Sequence, residues 1–237
     1  MSRAVRRFIP PQHGAWAMLL VPWLAGVLAA GFRWLHLPLL GAWVAGYLFS
    51  YYALQAIKTG RPGRVRAQLL AYGLPTAVLG GVVLILRPAV LWYAPAYAAL
   101  LAVNLAYARR RAERALVNDL ASVALSCLMV LVSATVAGQP AGAVLPVAVA
   151  VAAYFTGTVL YVKTMIRERD STPYYWASVG FHGAAFAVAA FASLPMLVVF
   201  LILLVRAAVN PRLGLTPKQV GLTEIAASVL VLAAVAA

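Results

Sequence analysis

The side chains that could bind a ligand or move a proton are few, and they lie near the ends of long apolar runs. Four could act as an acid or a base, and we predict them as candidate catalytic residues: His13, Asp119, His182 and Glu224. Eight others could contact a ligand: Gln12, Gln55, Lys58, Arg61, Asn118, Lys163, Arg167 and Asp170. Polar groups at membrane depth are costly, so each is a functional candidate if these runs cross a bilayer.

A short cationic pattern occurs twice in the chain. Lys58-Thr59 is matched later by Lys163-Thr164, and Arg64 is matched at the same spacing by Arg169. Lysine and arginine suit an anion such as a phosphate, a diphosphate or a carboxylate. The pattern predicts that four cations hold the anionic head of a ligand: Lys58, Arg61, Lys163 and Arg167. The four acid–base candidates would supply polar contacts or proton transfer beside it.

Structural interpretations of the same residues stay open at this stage. Asn118 and Asp119 could cap a helix just after an arginine run, with Asp119 paired to Arg114. The two lysines could simply determine membrane topology. Glu168 and Asp170 could form a solvated ion-pair network with their arginine neighbours.

A metal site is not predicted. No two of the five acidic residues share the helical i, i+3 or i, i+4 spacing, and no His-x-x-x-His or Glu-x-x-His pattern occurs. Glu168 and Asp170 could offer a single Mg²⁺ contact at best, so the cofactor stays unknown and no motif supports magnesium. No Ser/His/Asp, P-loop or dinucleotide pattern is present.

Composition places these residues in a membrane protein. Hydrophobic residues make up 65% of the 237 residues, charged residues only 10%, and mean hydropathy is +0.92. A soluble domain carries roughly a quarter charged residues. We therefore predict an all-α, polytopic membrane helix bundle that forms one transmembrane domain over residues 1–237. The lone Cys127 lies in an apolar run, which predicts neither a disulfide nor a cysteine metal cluster.

Nine apolar runs predict about nine transmembrane helices. Their approximate bounds are 14–31, 36–57, 67–86, 89–107, 115–138, 143–162, 174–191, 195–209 and 220–237. With the N-terminus inside, the cytoplasmic segments carry every lysine and arginine except Arg33 and Arg87. This bias is the usual signature of orientation. We predict a multi-pass protein of the cytoplasmic (inner) membrane, with the N-terminus inside and the C-terminus outside.

The net charge of +14 has the same explanation. In a soluble protein it would suggest nucleic acid, but here the cations are confined to short segments between apolar runs. Such segments contact anionic lipids, so we predict membrane lipids as partners and no nucleic acid.

The two cationic segments follow the second and the sixth run, so both face the cytoplasm in this topology. Runs one to four and five to eight would then form two parallel four-helix repeats, with the ninth run left over. Polar groups on six runs lie toward the same side, whereas the outer ends carry little. This distribution predicts a pocket that opens to the cytoplasm.

Several segments resemble the YwiC-like family of bacterial integral membrane proteins. The likeness lies in Pro11-Gln-His-Gly-Ala-Trp-Ala-Met-Leu-Leu20, Tyr51-Tyr52, Lys58-Thr59-Gly60-Arg61-Pro62 and Tyr161-Val-Lys-Thr-Met-Ile-Arg-Glu-Arg169. It extends through most of the chain, and the first of these motifs is fairly specific. The resemblance implies a membrane protein without implying a particular reaction.

The plan is more distantly similar to the UbiA superfamily of intramembrane prenyltransferases. Those enzymes have nine helices, an N-inside orientation and a cytoplasm-facing cavity, and Asp-rich loops after helices two and six hold Mg²⁺ and a prenyl diphosphate. Here the segment from Gln55 to Arg66 has no acidic residue, and the second segment keeps only Glu168 and Asp170. The resemblance therefore implies the architecture, with the usual magnesium chemistry lost or changed.

Together these features predict a protein that binds an anionic, lipid-like or prenyl ligand in a cytoplasm-facing pocket. Whether it catalyses a transfer reaction stays open. A small transporter or exporter is one alternative, and it predicts a polar path that reaches both faces. A non-catalytic membrane assembly factor is the other, and it predicts a stable protein partner of unknown identity.

Overall fold

The computed structural model describes Phe8, Pro10, the backbone of His13 and residues 14–237. Within this part of the chain there are nine α-helices and no β-strand, which confirms the predicted all-α bundle. The helices are α1 (His13–Ala30), α2 (His36–Thr59), α3 (Arg66–Leu86), α4 (Ala94–Arg109), α5 (Leu116–Ala137), α6 (Leu145–Ile166), α7 (Thr172–Ala189), α8 (Leu194–Val209) and α9 (Pro217–Ala236). Each lies within a few residues of a predicted apolar run.

Local sequence explains where several helices begin and end. α2 and α5 stop at Gly60 and Gly138, which adopt the left-handed backbone conformation that glycine tolerates without steric cost. Thr216 and Gln219 form a reciprocal capping box at the start of α9. The Ser193 side chain accepts a backbone N–H at the start of α8. These caps fix the short connections between the helices.

Two features differ from the sequence prediction. Lys58 lies in the last turn of α2 and Lys163 in the last turn of α6, so both lysines are helical instead of belonging to loops. The aliphatic stem of lysine can lie along an apolar helix while its ammonium group reaches a polar partner. α4 begins later than predicted because Pro88–Tyr93 forms a 3-10 helix before it.

Seven helical segments are long and apolar enough to cross a membrane. They contain α2 to α6, α8 and α9. The part of α1 from Gly14 to Ala30 is shorter, and α7 is not among the seven; Tyr174, Tyr175 and His182 make α7 more polar. The chain is therefore a multi-pass helix bundle of membrane type, and nine complete crossings stay a prediction.

α1 and α5 pack closely at the centre of the bundle. A Cβ atom on Gly26 of α1 would stand 2.6 Å from the Cβ atom of Ser133 in α5. Ala25 and Val130 are fully buried in the same apolar core. α5 also touches α4 and α6, whereas α1 touches α6 and α9. The helices that open the two predicted repeats thus form the core on which the others pack.

The connections divide the bundle into two ends. The start of α1 and the α2–α3, α4–α5, α6–α7 and α8–α9 connections lie at one end, termed the basic end because it carries most of the cations. At the opposite end, the backbone N–H of Arg33 donates to His36 Nδ1, and His36 Nε2 donates to the Ser133 carbonyl at 2.9 Å. Arg87 Nε donates to the Val136 carbonyl. These hydrogen bonds tie α2 and α3 to α5.

Candidate functional site

The α4–α5 connection lies between the two lysines of the repeated cationic pattern. Lys58 forms an exposed ion pair with Glu113, and Lys163 Nζ lies 2.9 Å from Asp119 Oδ2. Asn118 Nδ2 donates to the Glu113 carbonyl at 2.7 Å. A continuous set of contacts therefore joins the end of α2 to the end of α6 through the start of α5. These five residues are termed the basic-end bridge.

Lys163 is the most deeply placed cation of the bridge. It is buried, and its Nζ also donates to the Arg114 carbonyl at 2.8 Å. The sequence left open an ion pair between Asp119 and Arg114. In the structure the partner of Asp119 is Lys163. Lys163 therefore holds two helix ends together, and its charge is already compensated.

The Lys58 pair is more open to solvent. Both side chains are more than a third exposed. The hydrogen bond from Lys58 lowers the pKa of Glu113, because it stabilises the ionised carboxylate. Water and salt screen such a pair, so it contributes little to stability.

The other predicted ligand contacts of the basic end are exposed. This group comprises Gln55, Arg61, Arg167 and Asp170. Within residues 13–237 no salt bridge holds either arginine. Gln12 and the side chain of His13 lie outside the described residues.

A second polar cluster lies deeper in the bundle, among α6, α7, α8 and α9. Arg206 of α8 forms an ion pair with Glu224 of α9. Thr158 of α6 donates to the other carboxylate oxygen of Glu224 at 2.9 Å. Glu224 follows the start of α9 by about 10 Å along the helix axis. An arginine and a glutamate at this depth are expensive to bury, and pairing offsets part of the cost.

One face of α6 supplies the polar side of this cluster. Tyr154, Gly157, Thr158 and Tyr161 follow the i, i+3, i+4, i+7 spacing of one helix face. The Arg206 guanidinium lies 4.1 Å above the Tyr161 ring, in a cation–π contact. On the side of the cluster nearer the basic end, Asn210 Nδ2 donates to the Tyr161 hydroxyl at 2.9 Å. On the side nearer the opposite end, the hydroxyls of Tyr154 and Ser228 are 2.8 Å apart.

His182 of α7 joins the cluster from the side. Its Nδ1 lies 2.8 Å from the Ser178 carbonyl, and since a carbonyl only accepts, Nδ1 carries the proton of the neutral ring. Nε2 is then an acceptor, and it has no hydrogen-bond partner among the described residues. It faces Gly157, where an added Cβ would stand 2.8 Å away.

The predicted site residues thus fall into two groups. Lys58, Asn118, Asp119 and Lys163 meet in the basic-end bridge, whereas His182 and Glu224 belong to the deeper cluster. Sequence reasoning missed Glu113, Arg206, Thr158, Tyr154 and Tyr161. An arginine inside the apolar run of α8 and the spaced polar face of α6 were the signals that could have found them.

The acidic residues of the described chain are dispersed. Glu113, Asp119 and Glu224 each pair with a different cation. No three His, Cys, Asp or Glu side chains converge as metal ligands within the residues that the structure describes. These residues do not fit the Mg²⁺ and diphosphate centre of the UbiA superfamily, in line with the absence of its Asp-rich motifs from the two cationic segments.

A shallow apolar groove lies between α5 and α6. Cys127, Leu131, Ala148 and Ala152 are among the residues that line it. No residue of the basic-end bridge or of the deeper cluster lines this groove. The predicted cytoplasm-facing pocket stays a prediction.

Comparison with known proteins gives the family. A family model described as "YwiC-like protein" matches residues 9–134. The chain is 33% identical over 179 residues to "Uncharacterized protein YwiC" of Bacillus subtilis (strain 168), which covers 75% of each chain. It is also 33% identical over 226 residues to an "Uncharacterized protein" of Haemophilus influenzae (strain ATCC 51907 / DSM 11121 / KW20 / Rd), covering 94% of each chain. No solved structure matches the chain. The chain therefore belongs to the YwiC-like family.

Proposed function

We propose that this protein binds the anionic head of a lipid-like or prenyl ligand at its basic end, and that this end faces the cytoplasm of the bacterial inner membrane. One observation carries the proposal: the basic-end bridge, in which Glu113 and Asp119 hold Lys58 and Lys163. Two cationic segments that are distant in sequence are linked there through the α4–α5 connection and the start of α5.

The ion pairs of the two lysines favour the neighbouring arginines as the cations that bind the ligand. Lys58 and Lys163 are compensated by acids, so they position the two segments. Arg61 and Arg167 follow them in the chain and are exposed. A guanidinium group binds phosphate or carboxylate oxygens in pairs, so these two arginines are the proposed ligand contacts.

The neutral groups of the ligand need other partners. Gln55 and Asp170 are exposed in the same two segments, and each could hydrogen-bond an amide or a hydroxyl of the head group. Asn118 is buried in the bridge, and its Oδ1 has no hydrogen-bond partner among the described residues. It offers one further acceptor beside the cations.

The orientation rests on the distribution of lysine and arginine. Short connections that are rich in lysine and arginine stay on the cytoplasmic side. All lysines and arginines except Arg33 and Arg87 belong to the segments assigned to that side. The basic end would also meet the anionic lipids of that leaflet. A lipid-like ligand can reach Arg61 and Arg167 from the membrane surface.

A transporter is the less favoured function. The deeper cluster ends at Tyr154 and Ser228, and the buried residues of α6 and α9 beyond them toward the opposite end are apolar, as at Val151 and Val231. A continuous polar path, which a transporter of ions or polar solutes needs, does not follow from this arrangement.

Native mass spectrometry of the purified full-length protein tests the proposal. The variant Arg61→Met/Arg167→Met should lose bound anionic lipid-like molecules by roughly tenfold or more, because each surface cation contributes about 1 kcal/mol to such binding. Arg33→Met/Lys218→Met removes the same number of charges from exposed positions outside the two segments and should keep the ligand. An unchanged amount of bound anionic lipid-like molecule in Arg61→Met/Arg167→Met would contradict the proposal.

A further inference from the structure

Within the described residues, the deeper cluster and its surroundings hold several buried polar atoms without hydrogen-bond partners, Ser178 Oγ of α7 among them. Nε and Nη2 of Arg206 and Nε2 of His182 make no hydrogen bond within the described residues. Arg206 is 8% exposed and His182 only 2%. Buried polar atoms are almost always paired, and at membrane depth the cost of leaving them unpaired is several kcal/mol each. A ligand that supplies the missing partners removes this cost.

The open edge of Arg206 defines the chemistry of that ligand. Nη1 of Arg206 already donates to Glu224, so the Nε and Nη2 edge is the open side of the guanidinium. This edge presents two parallel N–H groups, which match the two oxygens of a carboxylate. The Nε2 atom of His182 packs against Gly157, and its ring lies within electrostatic range of Arg206.

Charge decides the form in which a carboxylate binds. Arg206 and Glu224 together are neutral. An added carboxylate would leave one negative charge without compensation at membrane depth, where a lone charge is costly. One proton that enters with the carboxylate restores neutrality, whether it resides on Glu224, on His182 or on the ligand.

We propose that the Arg206 site binds a carboxylate together with one proton. The carboxylate comes either from a small soluble acid or from an acyl chain resident in the membrane. This site is separate from the basic-end bridge, so the failure of one proposal leaves the other standing.

The helices that pack on α9 place only a few titratable side chains around Glu224 within the described residues. α8 contributes Arg206. α6 contributes Tyr154, whose hydroxyl donates to the Glu224 carbonyl at 3.2 Å, and Tyr161 beneath the guanidinium. Between Gly14 and Ala30, α1 carries no titratable side chain.

α7 is the fourth helix of the cluster, and its histidine lies within electrostatic range of Arg206. The proton that enters with the carboxylate therefore has two protein positions, the carboxylate of Glu224 and the imidazole of His182. Tyrosine hydroxyls hold their protons throughout the neutral range. Uptake of one proton per ligand follows.

Isothermal titration calorimetry of the full-length protein in detergent tests the Arg206 site, with dodecanoate and acetate as probes. Affinity for dodecanoate should rise about tenfold for each unit by which the pH is lowered from about 8 to about 6, because binding takes up one proton. Glu224→Gln leaves Arg206 with a free charge, so its affinity should be high and the same at every pH. The bound carboxylate should also raise the melting temperature of this variant.

Two charge-removing variants complete the design. Arg206→Met should bind neither probe. Arg206→Met/Glu224→Gln removes both charges, so it keeps a neutral core and serves as the folded control that reports any uptake of dodecanoate by detergent. Binding of acetate as well as dodecanoate assigns the site to soluble acids, whereas binding of dodecanoate alone assigns it to membrane-resident acids.

Three results would overturn the proposal. The first is wild-type affinity that does not change with pH. The second is dodecanoate binding to the Arg206→Met/Glu224→Gln variant equal to that of the wild type. The third is a folded Glu224→Gln protein, shown by its elution as a monodisperse peak, that has lost all affinity for both probes.

Discussion

Lys163 Nζ lies 2.9 Å from Asp119 Oδ2, so a largely buried ion pair joins the last turn of α6 to the first turn of α5. Lys58, its counterpart in the first cationic segment, pairs with Glu113 at an exposed position. Two lysines that are alike in sequence context thus differ in burial. Burial determines what each ion pair contributes to stability.

Lys163→Met should destabilise the protein much more than Lys58→Met. The first variant leaves Asp119 without its partner, and we expect a cost of about 2 kcal/mol, since that carboxylate keeps some contact with water. The second should cost less than about 0.5 kcal/mol, because solvent screens the exposed pair. Thermal unfolding in detergent should show a fall in Tm of roughly 4–8 °C against about 1 °C.

The matched control is the acid. Asp119→Asn leaves the buried ammonium of Lys163 uncompensated and should cost more than Lys163→Met, whereas Lys163→Met/Asp119→Asn should recover part of the loss. Equal shifts for Lys58→Met and Lys163→Met would contradict the structural difference between the two pairs.

The helices could be predicted from the sequence because a bilayer imposes a simple rule. A spanning helix needs about 20 consecutive apolar residues, and the charged connections between such runs stand out, as at Lys58 to Arg66 and at Arg109 to Arg114. The all-α bundle follows from this rule. Helix ends were less accurate, since a lysine stem prolongs an apolar helix surface by a turn, as Lys163 does.

The partners within the site could not be predicted in the same way. From the sequence, Arg206 contributed only to the prediction of membrane orientation, and Glu224 had no predicted partner. Nothing in the spacing of the chain shows that α8 and α9 bring the two side chains together. Burial of Lys163 likewise depends on the contact of α5 with α6. The polar face of α6, with Tyr154, Thr158 and Tyr161 in one helical row, was visible in the sequence and marks the deeper cluster.

Gly26→Ala should destabilise the contact between α1 and α5. The new Cβ would stand 2.6 Å from Ser133 Cβ and 2.7 Å from the Val130 carbonyl oxygen. Backbone cannot yield as a flexible side chain does, so the helices must separate, at a cost of about 1–3 kcal/mol. A lower Tm in detergent is the expected result.

Gly183→Ala in α7 is the matched control for this change. No atom lies within 4 Å of a Cβ at that position, so alanine should be neutral or should stabilise the helix by up to about 1 kcal/mol. A Gly26→Ala protein as stable as Gly183→Ala would show that α1 and α5 do not approach so closely.

Single-cysteine labelling tests the proposed orientation. In a Cys127→Ala background, Arg33→Cys should react with a membrane-impermeant maleimide on intact cells, whereas Arg61→Cys should react only after the membrane is opened. Both side chains are exposed at their own end of the bundle, so the membrane alone decides their access. The reverse pattern would place the basic end outside and remove the basis for a cytoplasmic ligand site.

Removing one charge of the buried pair between Arg206 and Glu224 should cost more than removing both. Glu224→Gln and Arg206→Met each leave an uncompensated charge at membrane depth, and we expect a loss of about 3–5 kcal/mol in either variant. Arg206→Met/Glu224→Gln leaves no charge and should lie close to the wild type in Tm. Asp170→Asn, at an exposed position, should change Tm by no more than about 1 °C. Additive losses in the double variant would show that the two side chains do not form a pair in the membrane.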